Sequence, residues 1–464
     1  MKFPSRQVTL AVVFAANLSA CAIGPDYVRP NLTTEAAWVA PLPHAGNAAA
    51  LANWWAHWND PVLTELIDLA QHKNTTIAQA AARIAQSRAQ YQSITSVLFP
   101  SFTASANDTH SRGGQNVPVI SAGNETQHTR NLGLDAAWEL DVVGGGRRGR
   151  AAARRRTDAR ESDWHDARVS IAAEVAMQVV NLRSCEVLLS GHEFDAKSRA
   201  ETARLITLKA KAGFEAPAHA RLTQASAAEA SARLIQQRAD CDILVKVLAE
   251  LTATGEVSLR AILNTRRGVM PSPKSFAIHS VPAEAISQRP DVAAAEHELA
   301  AAMADIGVAM ADRFPRITLS GSIGFADNSG GQGRAWHYGP ALSLPIFDAG
   351  RRAANVDVAR ARYDEKLAAY KGTTLRAVRE VEESLVRLNS TARRETDTAQ
   401  ARNGYENYLR AAEARVKAGA GNLTELEEAR RAVVLAQGAS IGVMRERLIA
   451  WIGLYKAVGG GWRD

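Results

Sequence analysis

Two stretches of this chain change from a helical period to a period of two, and the rest of its pattern is arranged around them. Ile317, Leu319, Gly321, Ile323 and Phe325 alternate with Thr318, Ser320, Ser322 and Gly324. That spacing predicts a strand with one apolar and one polar face. After a Gly/Ser/Asn/Asp loop, Leu342, Leu344 and Ile346 alternate with Ser343 and Pro345, which predicts an antiparallel return. Earlier in the chain, Phe102, Ala104 and Ala106 alternate with Thr103, Ser105 and Asn107. A polar loop from Thr109 to Gln127 separates them from Leu132, Leu134, Ala136, Trp138 and Leu140, which alternate with Gly133, Asp135, Ala137, Glu139 and Asp141. Each run is close to the ~9–11 residues a tilted strand needs to cross a bilayer. The carboxylates of the second run suit water rather than lipid.

Everything around the two hairpins reads as helix. A helix is expected from about Val62 to Val97, with Asp60 as N-cap and Pro61 fitting the first helical position, and Pro100 closes it. A single helix is expected from Arg147 to Lys211, roughly 97 Å long. That is too long for a globular domain and fits a coiled-coil rod. Ala212 to Pro217 is a turn, and a returning helix runs to about Leu251 with alanine at many contact positions. The pattern then repeats. Phe99-Pro100 corresponds to Phe314-Pro315, Gly146-Arg147-Arg148 to Gly350-Arg351-Arg352, and Lys211-Ala212-Gly213 to Lys417-Ala418-Gly419. Two copies of helix–strand–strand–long helix–turn–helix are a specific signal. The two shorter helices of each copy, end to end, span about the length of the long one. The expected organisation is residues 1–20 as a lipoprotein signal, 21–61 extended, 62–251 the first repeat, 252–282 a linker, 283–456 the second repeat and 457–464 a tail.

The amino terminus adds an address. Lys2 and Arg6 precede a short apolar stretch, Val8 to Leu18, too brief to span a membrane as a helix. Leu18-Ser19-Ala20-Cys21 has the form of a bacterial lipobox, so cleavage before Cys21 and acylation of that residue are expected. Two or more acyl chains give a stable anchor. Ala22, rather than an aspartate, follows the cysteine, which points to the outer membrane. No cofactor is expected beyond this lipid. The other two cysteines, Cys185 and Cys241, lie equally far on either side of the turn at Gly213. They therefore stand at the same height on an antiparallel helix pair. An oxidising periplasm permits a disulfide, but counting settles height and not rotation.

Composition excludes other classes. Aromatic residues make up 6% of the chain, little for a large globular core. The net charge of +7 is densest at Arg147, Arg148, Arg150, Arg154, Arg155 and Arg156, with no interleaved aromatics to stack bases, so no nucleic acid is expected. Gly144, Gly146 and Gly149 fit G-x-G-x-x-G, but the helical pattern after them runs on with no second strand within about thirty residues. His297-Glu298 begins like a zinc-protease motif, yet Ala301 stands where the second histidine belongs. The histidines form no cluster along the chain, so no metal site and no enzyme is expected. A purely structural coiled-coil lipoprotein would not need the two amphipathic hairpins.

Four strands cannot close a barrel, for which ~8 is the minimum, and open edges cannot face lipid. Three copies would supply twelve strands around a lumen. The predicted class is therefore mainly α with a membrane β-barrel: a long helical coiled-coil barrel, and four strands per chain that complete a 12-stranded barrel in a trimer. CAIGPDYVRP, WWAHWNDPVLTELI, WELDVVGGGRRG, SQRPDVAAAEHELAAAMADIGVAMADRFPRITLSGSIGF and GPALSLPIFDAGRR carry a resemblance over nearly the whole chain. By them the sequence resembles the TolC-type outer-membrane factor family, in its OprM/NodT-like efflux lipoprotein branch. The resemblance implies a homotrimeric exit duct for a tripartite pump, working with a periplasmic adaptor and an inner-membrane efflux transporter, set in outer-membrane lipid with its helices in the periplasm. It also implies a periplasmic gate after the second turn, Gly419 to Asn422. Matching residue by residue puts Thr424, Glu428 and Arg431 on that face, with threonine where relatives carry an apolar plug.

Overall fold

The computed structural model describes residues 22–30, 38–40, 54–112, 126–273, 286–287, 289–328 and 331–460. Its elements in order are α1 (Pro61–Lys73), α2 (Thr75–Ser96), β1 (Ser101–Arg112), β2 (Thr126–Leu140), α3 (Gly145–Lys211), α4 (Pro217–Thr252), α5 (Glu256–Asn264), α6 (Pro290–Ala311), β3 (Arg316–Asn328), β4 (Gly331–Ser343), α7 (Arg351–Lys417) and α8 (Leu423–Ala457). Among the described residues no helix is long and apolar enough to cross a membrane.

The four strands form one antiparallel sheet in the order β1-β2-β3-β4. The sheet belongs to a first unit comprising the described parts of Met1–Asn31, Arg83–Glu161 and Ala294–Lys371. The second unit comprises those of Leu32–Ala82, Ser162–Ala293 and Gly372–Asp464. Its main core gathers Trp54, Trp55 and Trp58 around Tyr455, with Leu63, Leu66, Leu182, Leu248 and Ile452. Tyr455 stacks on Trp54 at 4.9 Å between ring centres and meets Trp55 edge-on at 4.6 Å.

The hairpins differ from expectation at their ends. The polar loops are shorter, because β1 continues to Arg112 and β2 begins at Thr126. The return of the second hairpin is not Leu342 to Ile346. It is Gly331–Ser343, and residues 344–348 lie outside any strand. Gly331 to Tyr338 alternate poorly, but β3 offers them an unbroken antiparallel register of partners from Asn328 to Gly321. Backbone pairing, not side-chain pattern, sets that boundary.

The helix expected from Val62 to Val97 is two. Asn74 is extended, its Oδ1 accepts from the Thr76 N–H at 2.8 Å, and its Nδ2 donates to the Leu251 carbonyl at 2.8 Å. Asn74 thereby ends α1 and starts α2. The linker after Thr252 contains α5, whose Leu259 and Leu263 are buried in the same core. Asp60 caps α1 as expected, accepting from the Val62 and Leu63 amides. The glycines of the G-x-G-x-x-G match sit at a crowded helix start. A Cβ on Gly146 would meet Leu98 at 2.6 Å, and the Gly146 amide donates to Asp141.

Candidate functional site

The sheet separates its side chains cleanly. On one face Phe102, Ala136, Gly321 and Tyr338 form a cross-strand row. Ala104, Leu134, Ile323 and Trp336 form the next, and Ala106, Leu132, Phe325 and Arg334 the third. Trp336 is 69% exposed and Tyr338 81%, far more than a soluble sheet leaves uncovered. Beyond these rows the same face turns charged with Asp108, Arg130, Asp327 and Gln332. On the opposite face Thr103, Asp135, Ser322 and His337 share a row, and Ser322 Oγ lies 2.9 Å from His337 Nδ1. Among the described residues the outer strands β1 and β4 have no further partner.

Cys21 lies outside the described residues. The segment just after it is pinned at the foot of β2 and the start of α3. The Ile23 amide donates to the Val143 carbonyl at 3.0 Å, and Arg148 donates to the carbonyls of Ile23 and Gly24 and pairs with Asp26 at 2.9 Å.

Cys185 on α3 and Cys241 on α4 are joined by a disulfide, with Cα atoms 5.6 Å apart and both residues buried. The bridge closes a separation of 56 residues, for which the chain-entropy relation gives about 4 kcal/mol. Protein matured in the periplasm should show neither thiol to a maleimide probe before reduction and both after it. Labelling of both before reduction would reject the bond.

At the two turns Gly213 and Gly419 adopt φ of 79° and 74°, which L side chains rarely take. Asn422 caps α8 by accepting from the Thr424 N–H at 2.9 Å, and Pro217 opens α4. Beyond the cap, the charges of α8 split by face. Glu425 pairs with Arg415 on α7 at 2.8 Å, and Glu427 accepts from Thr202 on α3 at 2.8 Å and from Arg430 at 2.9 Å. Leu426, Ala429 and Val433 are buried beneath them. Thr424, Glu428 and Arg431 are all exposed, spaced i, i+4, i+7 on one side of the helix. Glu428 and Arg431 make no hydrogen bond or ion pair within the described chain, so both are free for partners outside it. Two features at this end were not evident in the sequence. Leu435, 68% exposed, continues the same stripe one turn on. His219 of the first turn, held by Glu215 at 3.1 Å, comes within 3.4 Å of the Thr424 hydroxyl.

The S-Q-R-P-D-V stretch also acquires a role. Arg289 is 5% exposed and forks onto Asp291 through two bonds of 2.9 and 2.8 Å. It also donates to Glu380 on α7 at 2.8 Å and to the Ala457 carbonyl ending α8 at 3.0 Å. Burial opposes its charge, but the two carboxylates overcome that and hold the guanidinium above its ordinary range. Asp166 on α3 stands near the same group. Burial, reinforced by Asp291, pushes its carboxyl up to about 6, although Lys456 and Arg289 work the other way.

The sequence shows no histidine cluster along the chain, but the sheet brings three side chains of metal-ligating type together: Asp108, His110 and His128. The histidines are far apart along the chain, but the register of β1 and β2 sets them directly opposite each other.

The comparisons with known proteins agree with this geometry. A profile described as outer membrane efflux protein matches residues 66–254 and 281–460. The chain is 31% identical to outer membrane protein OprJ of Pseudomonas aeruginosa, over 98% of this chain and 96% of that one. Among solved structures it resembles the outer-membrane channel OprN, with a TM-score of 0.82 and 27% identity over 96% of this chain and 100% of the other. It also resembles the open state of the MtrE outer membrane channel of Neisseria gonorrhoeae, with a TM-score of 0.77 and 27% identity over 96% and 99%.

Proposed function

The chain belongs to the outer membrane efflux protein family, and we propose that three copies of it close a twelve-stranded barrel that serves as the exit duct of a tripartite pump. It is an outer-membrane efflux channel of a Gram-negative cell and not an enzyme, with its helical part in the periplasm. The observation that carries the trimer is the sheet. It has four strands, two open edges, one face of exposed apolar rows and one polar face. Open edges in lipid would each leave several backbone groups unsatisfied, at several kcal/mol apiece. Twelve strands remove the edges, turn Trp336 and Tyr338 toward lipid and leave Asp135, Ser322 and His337 to line a wet lumen.

Conduction through such a duct is passive. Energy and substrate choice come from an inner-membrane transporter, and a periplasmic adaptor joins it to the helices. Opening requires those partners to bind the open state preferentially. The test is to isolate outer membranes and look for a heat-modifiable, SDS-resistant oligomer of three chains that conducts in planar bilayers. A monomer that opens no conductance after reconstitution would reject the trimeric duct.

Acylation of Cys21 is the companion proposal, supported by the lipobox before it and by the tether of Ile23, Gly24 and Asp26 at the sheet's foot. Cys21→Ser should accumulate as unprocessed precursor, with trimers still forming because the barrel supplies its own membrane attachment. Intact-mass measurement of mature wild-type protein should show an acylated amino terminus; an unmodified Cys21 there would overturn the anchor.

A further inference from the structure

We propose that Asp108, His110 and His128 form a binding site for a first-row transition-metal ion such as zinc at the loop end of the β1–β2 hairpin. Three observations support it. Both histidines direct Nε2 at one carboxylate oxygen: Asp108 Oδ1 lies 2.8 Å from His128 Nε2 and 3.4 Å from His110 Nε2. The three donor atoms all lie within 4.8 Å of one another, and the two rings are 4.3 Å apart at their centres. Ligands about 2.0–2.1 Å from one tetrahedral ion stand roughly 3.3 Å apart; the His110 contact of 3.4 Å matches this, and the His128 contact of 2.8 Å reaches it by a small outward shift of the ring. The position is also built rather than accidental, since His110 and His128 are cross-strand partners and Asp108 lies two residues along the same face of β1.

The donor set selects the ion. Two imidazoles and one carboxylate suit zinc, copper or nickel, whereas calcium and magnesium prefer all-oxygen shells. Three protein ligands leave at least one position for water or an outside ligand. Arg130 donates through Nε to the other oxygen, Oδ2, at 3.3 Å. It therefore leaves Oδ1 to the histidines and orients the carboxylate as an outer-shell partner does. The site sits on the sheet face that carries the apolar rows, in and just beyond the charged row of Asp108, Arg130, Asp327 and Gln332. Bound metal would staple β1 to β2 where the hairpin leaves the apolar band.

The experiment uses the full-length protein in detergent, purified through an affinity tag without histidines, and titrated with zinc by calorimetry. The expected result is one saturable zinc per chain, absent from H110Q/H128Q, which keeps every other histidine. Each single variant, H110Q or H128Q, should weaken binding by more than the about 10–100-fold that a lost outer-shell partner costs. Equal zinc binding by wild type and the double variant would overturn the site. If the double variant fails to assemble, copper(II) spin resonance of the wild type decides. Hyperfine structure from two imidazole nitrogens at one copper per chain supports the site, and its absence refutes it. In that case the contacts are ordinary polar contacts of the two histidines with Asp108.

Discussion

Arg289→Ala should be among the most damaging single substitutions in the helical part of this channel, lowering the stability of the second unit by about 3–5 kcal/mol. The reason is what it leaves behind. Arg289 is buried and satisfies Asp291, Glu380 and the Ala457 carbonyl at once, so it joins the start of α6, the middle of α7 and the end of α8. Removing it strands two partly buried carboxylates and an acceptor that water cannot freely reach. Set against the 5–15 kcal/mol typical of a folded protein, about 3–5 kcal/mol is a large fraction. Arg289→Lys keeps the charge but loses the planar fork, and should fall between the two.

The defect should also depend on pH, with a definite sign. Asp166 already titrates near 6 in the folded chain, above the ordinary ~3.9 of an unfolded aspartate. An acid raised in this way favours the folded state in its protonated form. Its favourable contribution is complete below the unfolded value and is lost as pH rises through about 6. Arg289 is one of the two cations that restrain that rise, so its loss should push Asp166 further up. The variant should therefore recover part of its stability at about pH 5 relative to about pH 8. Urea unfolding followed by circular dichroism at both values measures this. An Arg289→Ala protein with the wild-type midpoint at both would show that the clamp carries no stability.

Glu428→Ala and Arg431→Ser should widen the resting channel. Within one chain the neighbouring charges are committed: Glu425 to Arg415, and Glu427 to Arg430 and Thr202. Glu428 and Arg431 are exposed on the stripe that starts at Thr424, so in the proposed trimer they are open to partners on other copies. An exposed ion pair contributes about 0.5 kcal/mol. Three of them around one axis give about 1.5 kcal/mol, or roughly a tenfold bias toward the closed state. Breaking them should raise the mean conductance of reconstituted trimers several-fold. Glu428→Ala should also reduce cation selectivity, because three glutamates around a narrow passage attract cations. Thr424 contributes differently from an apolar plug. Its hydroxyl meets His219 of the first turn, and the apolar member of the stripe is Leu435, more than two turns along the helix. If conductance and selectivity both stay at wild-type values in the two variants, the constriction lies elsewhere.

Much of this was legible along the chain. The alternation from Ile317 to Phe325 and from Leu132 to Leu140 identifies strands, because a pleated strand turns successive side chains to opposite faces whatever surrounds it. The two long helices begin and end within about two residues of the expected bounds. Proline, glycine and asparagine at their turns act locally, through backbone conformation and lost amides. Equal spacing about Gly213 set Cys185 and Cys241 at one height. Their rotation toward each other depended on how α3 and α4 pack.

Tertiary structure decided whatever needed a distant partner. β4 begins at Gly331 because β3 supplies its hydrogen bonds, although its own residues carry little alternation. Asn74 breaks a helix that propensity would continue, because the Leu251 carbonyl and the Thr76 amide take its side chain. Arg289 stands in a conspicuous stretch, yet its role required Glu380 and Ala457 to arrive from the far end of the chain. The pairing of His110 with His128 was invisible for the same reason. A spacing along the chain says nothing of contact until a register is chosen, and the register comes from the sheet as a whole.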